Sequence, residues 1–164
     1  MDSSEVLERL LKSFGDYYTV SKENIVAPFV AEAFFKSHNE QYMLVKAAKI
    51  ADIDSNEIVF FYINTEVLSQ EKITELSKLA WERGLARITP YYGHRNTDIT
   101  LIILSDTIPE ESFKIIKKQK FYKSYKFGLY GWSSFRALAY ESSTGRAVTN
   151  RRGSDLKRLV ASLK

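Results

Sequence analysis

The sequence predicts an α+β fold: one domain spanning residues 1–164, built on a mixed or mostly antiparallel sheet covered by helices. Three observations carry that prediction. Apolar residues recur at helical spacing in 3–14, in 69–83 and again near the C-terminus. Between and after these stretches stand β-type runs, at 57–63, 99–105 and 133–142. No Pro/Gly/Ser-rich linker and no internal repeat divides the chain. The expected order is α-βββ-α-β-α-ββ(β)-α.

Each element has a local reason. Val6, Leu7, Leu10, Leu11 and Phe14 share one helical face, Asp2 to Ser4 supply cap candidates, and Gly15 is placed to end the helix. Asp16–Val20, Pro28–Lys36 and Gln41–Ala51 read as strands. Ser37–Glu40 reads as the hairpin turn between the last two, and Asp52–Asn56 as a second turn. Glu57–Ile63 is a buried-looking strand. In Ser69–Arg83, Ile73, Leu76, Leu79 and Ala80 form a helical stripe, with Gly84 as the expected C-cap. Pro90–Asp98 reads as a loop, and Ile99–Ser105 is apolar enough for the centre of the sheet. Pro109 is placed to open a helix, with Glu110 and Glu111 behind it and Lys117, Lys118 and Lys120 at its end, the order that the helix dipole favours. Phe121–Tyr130 and Ser133–Ser142 read as strands. Ser143-Thr144-Gly145 turns into a short strand, Arg146–Thr149, and Ser154 is the expected N-cap of a last helix.

Composition narrows the chemistry. The chain has no cysteine, which excludes disulfides, thiol catalysis, Cys-ligated zinc and iron–sulfur clusters. An acidic, polar N-terminus and apolar runs far short of a membrane span predict a cytoplasmic protein with no membrane partner. The net charge of +4 hides an asymmetry. Residues 1–111 hold 11 bases and 18 acids, a net of −7, and residues 112–164 hold 13 bases and two acids, a net of +11. Such a division predicts either internal pairing of the two parts, pairing across a homodimer, or an anionic partner for the last third.

The αβββαβ order over residues 3–105 resembles the core of the restriction-endonuclease-like nucleases. That resemblance implies a metal held by an acid on one strand and an acid-x-Lys triplet on the next. Glu32 sits in an apolar strand and Lys46 on the following one. However, the residue two before Lys46 is Leu44 and the residue two before Lys49 is Ala47, so the triplet is missing. A divalent-metal hydrolase using Glu32, Asp52, Glu57 and Lys46 stays as the enzyme alternative; a cross-strand ion pair of Glu32 with Lys46 is the structural one. No other catalytic motif stands out. There is no G-x-S-x-G and no phosphate-cradling glycine loop, and the two histidines, His38 and His94, give no metal spacing. No cofactor and no metal site is expected.

The best lead lies in the basic third. Lys120 to Trp132 interleaves cations with rings, the pairing that single-stranded nucleic-acid binders need. Read as a strand, it turns Phe121, Tyr125, Phe127 and Leu129 to the core with Lys123 on the same side, and turns Tyr122, Lys126 and Tyr130 outward. Arg151 and Arg152 precede the last helix, where free backbone N–H groups favour anions. The leading expectation is a non-catalytic module for nucleic acid or another polyanion. Lys123, Lys126, Arg151 and Arg152 would contact phosphates, while Tyr122 and Tyr130 would stack. A homo-oligomeric assembly protein, with Tyr91, Tyr92 and Trp132 in its interface, is the third class.

Overall fold

A computed structural model of the chain describes residues 1–36, 54–88, 90 and 94–163. Within these residues the order is α1 (Ser3–Phe14), β1 (Thr19–Ser21), β2 (Ala31–Lys36), β3 (Asp54–Val67), α2 (Gln70–Ala86), β4 (His94–Thr107) and α3 (Glu110–Lys118), followed by β5 (Tyr122–Ser124), β6 (Trp132–Glu141), β7 (Arg146–Thr149) and α4 (Lys157–Ala161). Short 3-10 turns occupy Lys126–Gly128 and Arg151–Leu156. The expected strand Gln41–Ala51, the turn Ser37–Glu40 and residues Lys46 and Asp52 lie outside the described residues.

The fold is α+β, and the sheet is mixed. Its strand order is β1-β2-β3-β4-β6-β5, and β7 pairs with β6. β2 runs antiparallel to both β1 and β3, whereas β3, β4 and β6 are mutually parallel. The parallel centre follows from the helices in the sequence. A helix between two adjacent strands carries the chain back across one face, so the next strand enters in the same direction. α2 and α3 serve two successive crossovers that move the same way across the sheet, and one handedness puts both helices on one face.

That face packs Ile58, Phe60, Leu101 and Phe135 against Ile73, Leu76 and Trp81 of α2 and Phe113 and Ile116 of α3. The opposite face packs Val59, Phe61, Ile102 and Leu138 against Val6, Leu7 and Leu10 of α1 and Leu156 and Val160 near α4. Helices on both faces explain why β3 and β4 read as nearly continuous apolar runs and not as alternating ones. β4, flanked by parallel partners on both sides, is central, as its composition predicts.

Several boundaries are set by tertiary packing. Asp2 caps α1 through Glu5 N–H, and Ser69 caps α2 through Lys72 N–H, both where capping preference puts them. Gly84 is no C-cap: it lies inside α2, which runs on to Ala86. A Cβ at Gly84 would come within 2.6–2.8 Å of the Ile99 side chain, so this glycine lets the helix lie close on β4. Pro109 is the N-cap of α3, one position earlier than expected. Ser154 caps no helix: it lies inside the 3-10 turn that Asn150 caps, and α4 follows that turn directly, with Leu156 before it and no side-chain cap.

The largest departure is Phe121–Tyr130. Only Tyr122–Ser124 pairs with β6, and then Lys126 and Phe127 take positive φ, 50° and 53°. Non-glycine residues in that region cannot continue a strand. The alternation therefore fails. Phe127 and Leu129, expected in the core, are exposed, while Phe121 stacks on Trp81 at 5.5 Å between ring centroids.

β5 covers Trp132–Ser134 of β6, and β7 covers Leu138–Glu141. Phe135–Ala137 between them is a gap in the sheet edge, which Asn150 fills. Its Oδ1 accepts from Ala137 N–H and Gly153 N–H, and its Nδ2 donates to the carbonyls of Phe135 and Gln119, all at 2.9–3.0 Å. A buried amide that satisfies four backbone groups protects this edge and anchors Arg151 and Arg152 beside it.

Candidate functional site

Two neighbouring features stand out, and both grow from β6. The first is basic. α3 ends in Lys117 and Lys118, Lys120 follows, and the 3-10 turn capped by Asn150 presents Arg151 and Arg152. These five cations line one cleft of about 690 Å³, floored by Phe135 and Asn150 at the gap in the sheet edge. None of the five pairs with a carboxylate among the described residues. Next to the cleft, Lys120, Tyr122, Trp132 and Arg152 line a shallower hollow of about 440 Å³. Arg152 lies over the Tyr122 ring, its guanidinium carbon 5.5 Å from the centroid.

The second feature is a charged network at the N-terminal ends of the parallel strands, on the α1 face. Parity brings it together. Glu57 shares a face with Val59 and Phe61, Asp98 and Thr100 with Ile102, and Ser134 and Arg136 with Leu138. Arg136 donates to Glu57 at 2.7 Å through Nη1 and to Asp155 at 3.1 Å through Nη2; Asp98 Oδ2 is 3.7 Å from Nη1. Thr100 Oγ1 donates to Glu57 at 2.5 Å, and the Tyr18 hydroxyl donates to its other oxygen. Burial, and then the Glu57 carboxylate, push the Tyr18 phenol well above its ordinary range. A cavity of about 370 Å³ opens over this network, walled by Phe14, Tyr17, Leu156 and Leu159. Between the two features, Asp98, Trp132, Ser134, Arg136, Arg152 and Asp155 line a hollow of about 260 Å³.

The structure brings together three of the six residues expected to bind: Tyr122, Arg151 and Arg152. It adds Lys117, Lys118, Lys120 and Trp132 to them. Lys123, Lys126 and Tyr130 line none of these hollows. Lys123 pairs opposite Ser133, so it points to the other side of the sheet from Tyr122, and its ammonium sits over the Tyr125 ring at 5.8 Å. Lys126 and Tyr130 belong to the turn that replaces the expected strand.

Of the residues expected for a hydrolase, only Glu32 and Glu57 are among the described ones, and these two do not converge. Glu32 faces α2, where Arg87 holds it at 2.6 Å, and Glu57 lies on the α1 face, so the sheet separates the two carboxylates. Among the described residues no group of three or more His, Asp or Glu side chains is disposed to hold a metal ion. No helix among them is long and apolar enough to cross a membrane.

Sequence reasoning missed the network. Its signal was nonetheless present, since Arg136 is an ionised side chain inside the buried run 133–142, and such a group needs a partner. No curated protein and no solved structure matches the chain. A family model described as a domain of unknown function (DUF8052) matches residues 2–162, and the chain belongs to that family.

Proposed function

We propose that this protein is a non-catalytic binding module for single-stranded nucleic acid. The observation that carries the reading is the basic cleft: Lys117, Lys118, Lys120, Arg151 and Arg152 surround one concavity without a carboxylate partner among the described residues. Unpaired cations held together repel one another, and a polyanion relieves that repulsion while releasing its own counterions. The rings sharpen the choice of polyanion. Tyr122 and Trp132 stand in the adjoining hollow, sharing Lys120 and Arg152 with the cleft. Flat faces beside phosphate-binding cations suit the exposed bases of a single strand; a duplex hides its bases in the stack.

Fluorescence anisotropy with a labelled single strand tests this. Binding at low salt is expected, with Arg151→Glu and Arg152→Glu together abolishing it while leaving the thermal unfolding midpoint within a few degrees. Removing the ring with Tyr122→Ala is expected to weaken single-strand binding about tenfold, in line with loss of one stacked base. Equal affinity for a duplex of the same sequence, or no binding at low salt, overturns the reading.

A further inference from the structure

The three hollows along β6 form one path, because Arg152 lines all of them. The path changes character along its length. It is purely cationic at Lys117 and Arg151, aromatic at Tyr122 and Trp132, and mixed in charge where Asp98, Arg136 and Asp155 meet. Phosphate binding needs no carboxylates, and Asp98 and Asp155 repel phosphates. Both face Arg136, and at the end of the path they also offer acceptors to a ligand group that donates hydrogen bonds.

The geometry points to a base-reading pocket for guanine at Asp98, Trp132 and Arg152, resting on the reading of the cleft as a single-strand site. Guanine alone among the common bases presents two adjacent donors, N1–H and the N2 amino group, on its pairing edge. A carboxylate accepts both in parallel. Asp98 is disposed for this. Ser134 Oγ donates to its Oδ1 at 3.0 Å and orients it, and its Oδ2 has no partner within hydrogen-bond range among the described residues, Arg136 being 3.7 Å away. Asp155, exposed and joined to Arg136 through Oδ1 at 3.1 Å, offers a second acceptor. Guanine also carries two adjacent acceptors, O6 and N7, which match the fork of an arginine. Arg152 supplies that fork, with no carboxylate bound to it among the described residues and its guanidinium carbon 5.5 Å from the Tyr122 ring centroid. The Trp132 indole gives the stacking wall, and about 260 Å³ has room for one base and not for a strand. Cytosine and adenine each offer a single donor group on the pairing edge, and thymine or uracil offers one N–H between two carbonyls. Each would leave a carboxylate oxygen unmatched.

The test compares two labelled strands of about 12 nucleotides, within the site size of such grooves, one all thymine and one with a single guanine at its centre. The wild-type protein is expected to bind the guanine strand at least about fivefold tighter, the low end for one bidentate base contact. Asp98→Asn keeps the acceptor for Ser134 and loses the paired acceptors. It is expected to erase the preference while binding the all-thymine strand no more weakly than wild type, since one repelling charge is gone. Asp155→Asn, on an exposed side chain, is expected to lower the preference too. Equal binding of both strands by wild type overturns the guanine pocket and leaves the cleft reading standing. Binding of neither strand overturns the cleft reading on which the pocket rests. Guanosine monophosphate, carrying the same base without a strand, is expected to compete weakly; competition as tight as the strand's overturns the strand as the ligand.

Discussion

Tyr18 and Glu57 illustrate how single residues carry this molecule's electrostatics. Glu57 is buried at the entry to β3, a position that would cost several kcal/mol were its charge uncompensated. Tyr18, Thr100 and Arg136 compensate it. The hydrogen bond from Tyr18 exists only while the phenol keeps its proton. Burial and the neighbouring carboxylate raise the folded-state pKa above the ordinary value of 10.0. A raised pKa means that the folded protein holds the proton more tightly than the unfolded chain. The stabilisation is therefore complete below the ordinary tyrosine value and declines as pH rises above it. Urea denaturation at pH steps across that value is expected to show the decline. Tyr18→Phe is expected to lose about 1.5–3 kcal/mol at neutral pH, as for a hydrogen bond to a charged group, and to flatten the alkaline part of the profile. An equally steep profile in the variant would assign the alkaline loss to other groups.

At the level of elements, α2 on β4 shows packing overriding local preference. Gly84 has the look of a helix terminator, yet it sits within α2 against the fully buried Ile99. In an open helix, Gly→Ala gains about 1 kcal/mol. Here the added methyl meets three side-chain carbons of the fully buried Ile99 at 2.6–2.8 Å. Overpacking of this kind costs about 1–3 kcal/mol, so Gly84→Ala is expected to be net destabilising in thermal or chemical unfolding. Trimming the neighbour with Ile99→Val in the same chain is expected to recover part of the loss; a stabilised Gly84→Ala would mean that the helix does not approach β4 so closely. β5 and its turn make the complementary point. The rings and cations of 120–132 were legible in the sequence, but a parity argument holds only while the strand continues. Lys126 and Phe127 in left-handed backbone end it after Ser124. The binding residues that parity selected, Lys126 and Tyr130, leave the site with the strand.

Across the whole molecule, the charge asymmetry divides into two parts with different fates. Some cations of the basic third are neutralised by the acidic part: Arg136 by Glu57, with Asp98 nearby, and Arg146 by Glu110, whose carboxyl it holds below the usual range. Internal pairing is thus real, but it stops short of the cleft, whose five cations have no carboxylate partner among the described residues. If all five neutralise a phosphate, the logarithm of the binding constant is expected to fall against the logarithm of salt concentration with a slope of about −3.5 for a single strand. Titrations at four salt concentrations measure it. Reversing Arg151 and Arg152 is expected to remove the binding, and replacing Lys117 and Lys118 with glutamine is expected to reduce the slope by about 1.4 units. A slope near zero would show that charge in the cleft is not what holds the ligand.

The sequence by itself determined the α+β class, the bounds of α1 and β7, the central place of β4 and the concentration of positive charge in the last third. Each of these follows from patterns spanning a few neighbours, such as periodicity, caps and composition. Tertiary structure alone decided the parallel centre of the sheet, the separation of Glu32 from Glu57, the escape of Phe127 from the core and the meeting of Lys117, Lys120 and Arg152 around one cleft, with Trp132 in the hollow beside it. These depend on which face a crossover helix takes and on where Asn150 closes the edge of β6. Such contacts join residues up to 139 positions apart, as in the hydrogen bond between the Ser3 and Ser142 hydroxyls, and no local pattern encodes them.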